Sequence, residues 1–273
     1  MVAAAINTTA PKKSTDSIKN NQKLEASTKL RPPPLALTLV EGRGIVELAA
    51  TFATRTILRH APRGDGHCVL VLPGFLASDR STRPIRQFLC ELGYDTHGWG
   101  KGRNLGEFYK MRDVLEGLVE EIYTRSGQKV SIVGWSLGGV FARYLSLVMP
   151  EKIRSVITLG SPFAADIQAT SARKLYDLVS KEGPVRPGDL EKIAGDLPVP
   201  NTSIYSKLDG IVNWKTCIAK PAENAESIEI RLASHVGIGV NPAAFWATAD
   251  RLAQPEGVFK PFAKNGPFSL AFG

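Results

Sequence analysis

The sequence predicts an α/β fold: a doubly wound, mostly parallel sheet with helices on both faces and a small helical lid insertion. Three observations carry this. Between His67 and Leu252, short apolar runs alternate with amphipathic helical stretches, the rhythm of a sheet wrapped by crossover helices. Several of the apolar runs are continuous, as strands covered on both faces require. The rhythm lapses once, over about residues 163–200, directly after a strand end. Open α/β sheets place their ligand crevice at such ends, so this insertion is a candidate lid.

The elements follow in order. CVLVLPG (68–74) is a buried strand closed by Pro-Gly. Thr82 to Leu92 places Ile85, Phe88, Leu89 and Leu92 at helical spacing, and Gly93 stops it. YDTHGW (94–99) is the second strand. Phe108, Met111, Leu115, Leu118 and Ile122 mark a helix closed by Gly127. KVSIVG (129–134) is the third strand, and a helix over Val140–Val148 stops before Pro150. SVITLG (155–160) is the fourth. Within the insertion only Leu175–Val179 reads as helical; prolines and charges follow. TSIYS (202–206) and SIEIRLA (227–233) restore strands, and Asn241-Pro242 opens a last helix.

The segments outside this rhythm read differently. Residues 1–34 form a polar, lysine-rich arm ending in a Pro32-Pro33-Pro34 hinge, expected to be disordered. Residues 35–65 are expected to hold one amphipathic helix packing on the core through Ile45, Leu48, Ala49, Phe52 and Ile57, with peripheral membrane contact as the sharper reading. Residues 66–255 form the main domain, and 256–273 a C-terminal tail.

Composition bounds the function. The 273 residues are 43% hydrophobic and 22% charged, enough for a sizeable core. Net charge is +8, but residues 1–31 hold six basic side chains against two acidic ones, so half the excess lies in the arm. The folded part is mildly basic, and nucleic-acid binding is not expected. Three cysteines, Cys68, Cys90 and Cys217, make no disulfide framework and no metal-ligand spacing; inert, partly buried thiols are expected. No apolar run reaches the ~18 residues of a membrane span, and the first residues lack the pattern of a secretory signal. A cytoplasmic location, with membrane association through the N-terminal segment, is the expectation. The sequence carries no signal for oligomeric state.

The chemistry centres on VGWSLGG, residues 133–139. Ser136 lies between a strand and a helix in a G-x-S-x-G pattern. Such a turn lifts the hydroxyl above the sheet edge, and the flanking glycines avoid collisions with neighbouring backbone. A serine hydroxyl needs a base. Of four histidines, His60 and His67 precede the second strand, His97 ends it, and His235 follows the last strand. His235 is the favoured base and His97 the fallback. Asp209, in KLDGIV at a strand end, is the favoured acid, with Gly210 read as permitting a tight turn; Asp166 is the rival. The oxyanion hole is assigned to the backbone N–H groups of Leu137 and Phe75, with Leu76 next. Leu76, Trp135 and Phe163 are candidates for an apolar acyl pocket. GWGKGRNLG (98–106) lacks P-loop spacing and reads as a rim loop.

Together LPGFLAS, GWSLGG, GSPF, KLDGIV and SHVGIG resemble the α/β-hydrolase fold, in particular its lipase and esterase members, over about residues 66–255. The resemblance implies a Ser136–His235–Asp209 triad, no cofactor, no metal, and a small hydrophobic ester as substrate. Many lipases have His-Gly where this chain has Pro73-Gly74. The same superfamily holds acyltransferases and non-catalytic ligand-binding proteins, and these are the alternative functions.

Overall fold

The computed structural model describes residues 30–164, 170–183 and 185–273. Most of the arm and the rival Asp166 lie outside the described residues. Within Arg31–Gly273, which form one unit, three short helices precede the sheet: α1 (Leu35–Leu39), α2 (Gly44–Ala53) and α3 (Arg55–Leu58). The sheet strands are β1 (Cys68–Leu72), β2 (Asp95–Gly98), β3 (Val130–Trp135), β4 (Ile153–Leu159), β5 (Asn201–Tyr205) and β6 (Ala225–Glu229). The interleaved helices are α4 (Asp79–Glu91), α5 (Phe108–Ser126), α6 (Leu137–Val148), α7 (Arg173–Val179), α8 (Pro187–Ala194), α9 (His235–Ile238) and α10 (Pro242–Leu252).

All six strands are parallel, in the order β2-β1-β3-β4-β5-β6. The chain steps from β1 outward to β2, then returns across β1 to β3. The strand order therefore reverses at the β1/β3 boundary, where the carboxyl ends open a crevice. Strand side chains alternate between two cores. Val69, Val71, Val133, Ile157 and Leu159 face one, with α4 and α10 supplying Phe88, Leu89 and Phe245. Leu70, Leu72, Ile132 and Val156 face the other, with α5 and α6 supplying Phe108, Leu115, Val119 and Phe141. Gly127, at φ 66°, caps α5 in the left-handed conformation glycine favours. Asn241 accepts hydrogen bonds from the N–H groups of Ala243 and Ala244 at the start of α10.

Three departures from expectation are informative. The N-terminal helix breaks at Thr54, and its orientation is inverted. Gly44, Glu47 and Thr51 face inward, while Ile45 (77% exposed), Val46 and Phe52 (64% exposed) face outward. Buried hydrogen bonds of Glu47 and Thr51, rather than apolar contact, choose the inward face. Second, the insertion carries a second helix, α8, which starts with proline at its first position. Buried Arg143 on α6 reaches it, donating to the carbonyls of Ile193 (2.6 Å) and Gly195 (2.6 Å); burial pushes this guanidinium down to about 10. Third, the C-terminal stretch is folded onto the domain, burying Phe262 and Phe272.

Candidate active site

Ser136 sits directly past β3, at the N-cap of α6, with φ 52° and ψ −121°. A non-glycine residue at positive φ is strained; here the surroundings fix it. The Ser136 N–H donates to the Leu159 carbonyl (2.8 Å) and its own carbonyl accepts from the Gly139 N–H (2.9 Å). The glycines are needed for close approach. A Cβ on Gly138 would lie 2.3 Å from the Leu72 carbonyl oxygen, and one on Gly134 would lie 2.4 Å from Gly139 Cα.

Loops from three strands converge on this hydroxyl. Ser136 Oγ lies 2.9 Å from His235 Nε2. His235, at the start of α9 after β6, places Nδ1 2.6 Å from Asp209 Oδ2. Asp209, after β5, has its other oxygen held by the N–H groups of Ile211 (2.9 Å) and Val212 (2.7 Å). Asp209 and His235 are buried, whereas Ser136 is half-exposed. Burial pushes the His235 pKa down, but the charge and hydrogen bond of Asp209, with the charge of Glu41, outweigh it and hold the group above its ordinary value. The hydroxyl of Ser136 therefore faces a nitrogen whose partner nitrogen is fixed as an N–H donor by a buried carboxylate.

The loop after β1 borders the serine: a Cβ on Gly74 would lie 3.1 Å from Ser136 Cβ. Buried Asn104, unrecognised as functional from sequence, pins this loop. Its side-chain amide donates to the Pro73 carbonyl (2.9 Å), its backbone N–H donates to Ala77, and its carbonyl accepts from the Leu76 N–H (2.7 Å). Leu76, at φ 61°, thus has its N–H engaged and is set aside as an oxyanion donor. Leu137 begins α6, where a helix offers no internal acceptor to the N–H. Phe75 stands half-buried, its ring 5.2 Å from that of Tyr176 on α7.

Two of the pocket candidates are corrected. Phe163 is completely buried, with the Arg143 guanidinium 4.0 Å above its ring, and offers no surface to a substrate. Trp135 leans behind the base loop: its indole N–H donates to the His235 carbonyl (3.1 Å), and its ring fills the space that a Cβ on Gly239 would need. It supports His235. Leu76 stays half-buried beside the elbow.

The other histidines are occupied elsewhere. His97, the fallback base, lies on edge strand β2 against Asp95 (3.1 Å) and Arg125 (3.2 Å). His67 is buried between Asp65 and Ser131, and His60 meets the Thr56 carbonyl. Cys68, Asp95 and His97 do gather within 4.8 Å, a cluster hidden from linear spacing because β1 and β2 pair Cys68 with Asp95. Arg125 already supplies the cation there. Cys90 is exposed, unlike the partly buried thiol expected, and lines a concavity of about 770 Å³ between α2, α3 and α4 with Phe52, Arg55, Arg59 and Phe88. Ser136 is not among that concavity's walls. Among the described residues, no helix is long and apolar enough to cross a membrane.

Comparison with known proteins now decides the family. The sequence profile of the alpha/beta hydrolase fold matches residues 56–208. The chain belongs to the alpha/beta hydrolase family. Among curated proteins, pimeloyl-[acyl-carrier protein] methyl ester esterase of Klebsiella pneumoniae is 25% identical over 241 residues, covering 67% of this chain and 92% of that protein. The esterase of the same name from Aeromonas salmonicida is 45% identical over 47 residues, only 17% of this chain and 18% of that protein. Among solved structures, Aspergillus fumigatus lipase B aligns with a TM-score of 0.56 at 14% identity, over 71% of this chain and 54% of the lipase. An alpha/beta superfamily hydrolase from Oenococcus oeni PSU-1 aligns at 0.52 and 15% identity, over 67% and 90%. These likenesses concern the fold; the neighbours include lipases, as the motifs suggested.

Proposed function

We propose that this alpha/beta hydrolase cleaves carboxylic esters through a Ser136–His235–Asp209 triad and an acyl-enzyme. The observation that supports the reading most is the unbroken hydrogen-bonded chain from half-exposed Ser136 to buried Asp209. Ser136 Oγ attacks the acyl carbonyl carbon as His235 Nε2 takes its proton. The N–H groups of Leu137 and Phe75 stabilise the oxyanion. His235 then protonates the leaving alkoxide, and the same nitrogen activates water to release the acid. Asp209 keeps the Nδ1 proton in place and stabilises the imidazolium.

The substrate class follows from the surroundings and the relatives together. The esterases named above act, by their names, on a methyl ester of a carrier-bound acyl chain. The exposed apolar side chains Leu35, Leu39, Ile45, Val46 and Phe52 lie on the N-terminal segment, whose inward-facing Gly44 packs on Val236, the residue after the base. A hydrophobic ester met at an apolar or lipid surface fits both facts, with the N-terminal segment making peripheral membrane contact.

Covalent labelling tests the triad. A fluorophosphonate probe should modify Ser136, located by peptide mass spectrometry, and His235→Ala should abolish labelling. Modification elsewhere, or labelling of native protein and variant at equal rates, would refute the assignment; a protein that binds esters without labelling would instead be a non-catalytic member of the fold.

A further inference from the structure

We propose that Glu41, in the segment ahead of the sheet, is a positioning residue that ties the acid loop to the base loop and so fixes His235 against Asp209. The proposal rests on the hydrolase reading for its kinetic consequence, but its geometry stands independently.

Glu41 opens a 3₁₀ turn (Glu41–Arg43) between α1 and α2 and is buried. One carboxylate oxygen accepts the N–H of Gly210 (2.7 Å) and the N–H of His235 (3.0 Å). The other accepts the N–H of Val236 (2.9 Å). A single side chain thus bonds the residue after the acid and the base itself. A buried carboxylate is costly unless its lone pairs are filled; three charge-assisted hydrogen bonds fill these.

Its neighbours repeat the pattern. Arg43 Nη2 donates to the carbonyls of Leu208 (2.7 Å), before the acid, and Ala233 (3.3 Å), before the base. Thr38 Oγ1 donates to the Gly210 carbonyl (2.5 Å). Glu47 accepts from the Ser234 N–H (2.8 Å), the Ser234 hydroxyl (2.7 Å) and the Asn241 amide (2.8 Å). Thr51 donates to the Val240 carbonyl. Five polar side chains of residues 38–51 therefore grip residues 208–210 and 233–241. The loops leave different strands, so their spacing is set by whatever bridges them. A Cβ on Gly210 would lie 2.3 Å from the Leu37 carbonyl oxygen, so glycine there admits this segment. That replaces the expected reason, a tight turn, since Gly210 is absent from the positive-φ residues.

The charges around His235 give a readout that packing alone would not move. Asp209 faces Nδ1, Glu41 faces the backbone N–H, Glu47 holds the preceding residue, and Arg43 points at the flanking carbonyls. The negative charge of Glu41 helps hold His235 above its ordinary pKa, together with Asp209 and against burial.

The experiment compares Glu41→Gln, Glu41→Asp and the exposed control Glu121→Gln on α5 in the full chain. Nitrophenyl ester kinetics are normalised to fluorophosphonate-titrated sites, and the His235 imidazole is titrated by NMR. In Glu41→Gln, kcat should fall about 10- to 100-fold, the loss expected when a reacting group is misplaced by roughly an ångström, with KM within about twofold. Its His235 midpoint should move to lower pH, because a charge favouring the imidazolium is gone. Glu41→Asp should lose kcat but keep most of the midpoint, and Glu121→Gln should match the native protein. A Glu41→Gln with native kcat per titrated site and native midpoint would overturn the proposal, whatever its melting temperature. Should Glu41→Gln fail to fold, Glu41→Asp with native kcat per titrated site and native midpoint would do the same. If the native protein hydrolysed nothing, the hydrolase reading would fail alone. The NMR midpoint would then decide the clamp: lower in Glu41→Gln supports it, unchanged refutes it.

Discussion

Replacing Gly138 with alanine strikes the elbow where it packs closest on neighbouring backbone. The new Cβ would lie 2.3 Å from the Leu72 carbonyl oxygen, 2.7 Å from its carbon and 2.8 Å from the Pro73 carbonyl oxygen. All three atoms are backbone at the end of interior strand β1, so no rotamer change relieves the clash. Ordinary contact begins at 3.4 Å, so the 2.3 Å approach must open by about 1.1 Å. The N-terminus of α6 must move, and it carries Ser136 and the Leu137 N–H. Oγ now sits 2.9 Å from His235 Nε2; a shift of that size breaks the bond. Misplacement by about 1 Å costs roughly 10²-fold in rate, and overpacking a core costs about 1–3 kcal/mol. The assay is kcat/KM on a nitrophenyl ester per folded molecule, beside a thermal melt. Gly138→Ala should lose about 10²-fold in kcat/KM while still melting cooperatively. A variant within threefold of native would refute the claim that this contact positions the nucleophile.

Other outcomes follow from the same geometry. Asp209→Asn should keep the fold but lower kcat by about 10³- to 10⁴-fold, since the amide leaves His235 in the wrong tautomer; steady-state kinetics and circular dichroism check it. His235 must be neutral to accept a proton and its pKa is raised, so kcat/KM should fall with acid through a midpoint above 6.5. The same shift stabilises the fold fully below the unfolded histidine value and loses that contribution as pH rises through the folded one, so a melting series should show stability and activity moving oppositely with pH. Asn104→Ala should free the loop at Pro73–Ala77 and lower kcat about tenfold or more with little change in KM. Ile45→Asp with Phe52→Asp should abolish co-sedimentation with phospholipid vesicles while leaving hydrolysis of a soluble short-chain ester intact; retained co-sedimentation would refute the lipid-facing role of the stripe.

Local signals were legible where physics is local. The interior strands β1 and β3 read from apolar runs because both faces of the sheet are buried there, and the elbow reads from the glycines flanking Ser136, Gly134 and Gly138, because strand-to-helix crowding admits no side chain at either. Ser136, His235 and Asp209 were individually visible as loop residues at strand ends. What stayed hidden depends on contacts between distant residues. Ile45 and Phe52 sit at amphipathic spacing, yet Glu47 and Thr51 choose the inward face through partners at Ser234 and Val240. Phe163 and Trp135 are adjacent to the site in sequence, but Arg143 buries one and the His235 carbonyl engages the other. Asn104 lay within an apparent rim loop because its partners at Pro73 and Ala77 belong to another crossover.

The central claim is that Ser136 performs ester hydrolysis. The most direct measurement is hydrolysis of nitrophenyl esters from short to long acyl chains by native protein and Ser136→Ala, side by side. The account predicts activity in the native protein that rises with acyl length over part of the series, and a loss of about 10⁴-fold or more in the variant. Hydrolysis that survives in Ser136→Ala within tenfold of native, or a native protein that turns over no ester in the series, would contradict it.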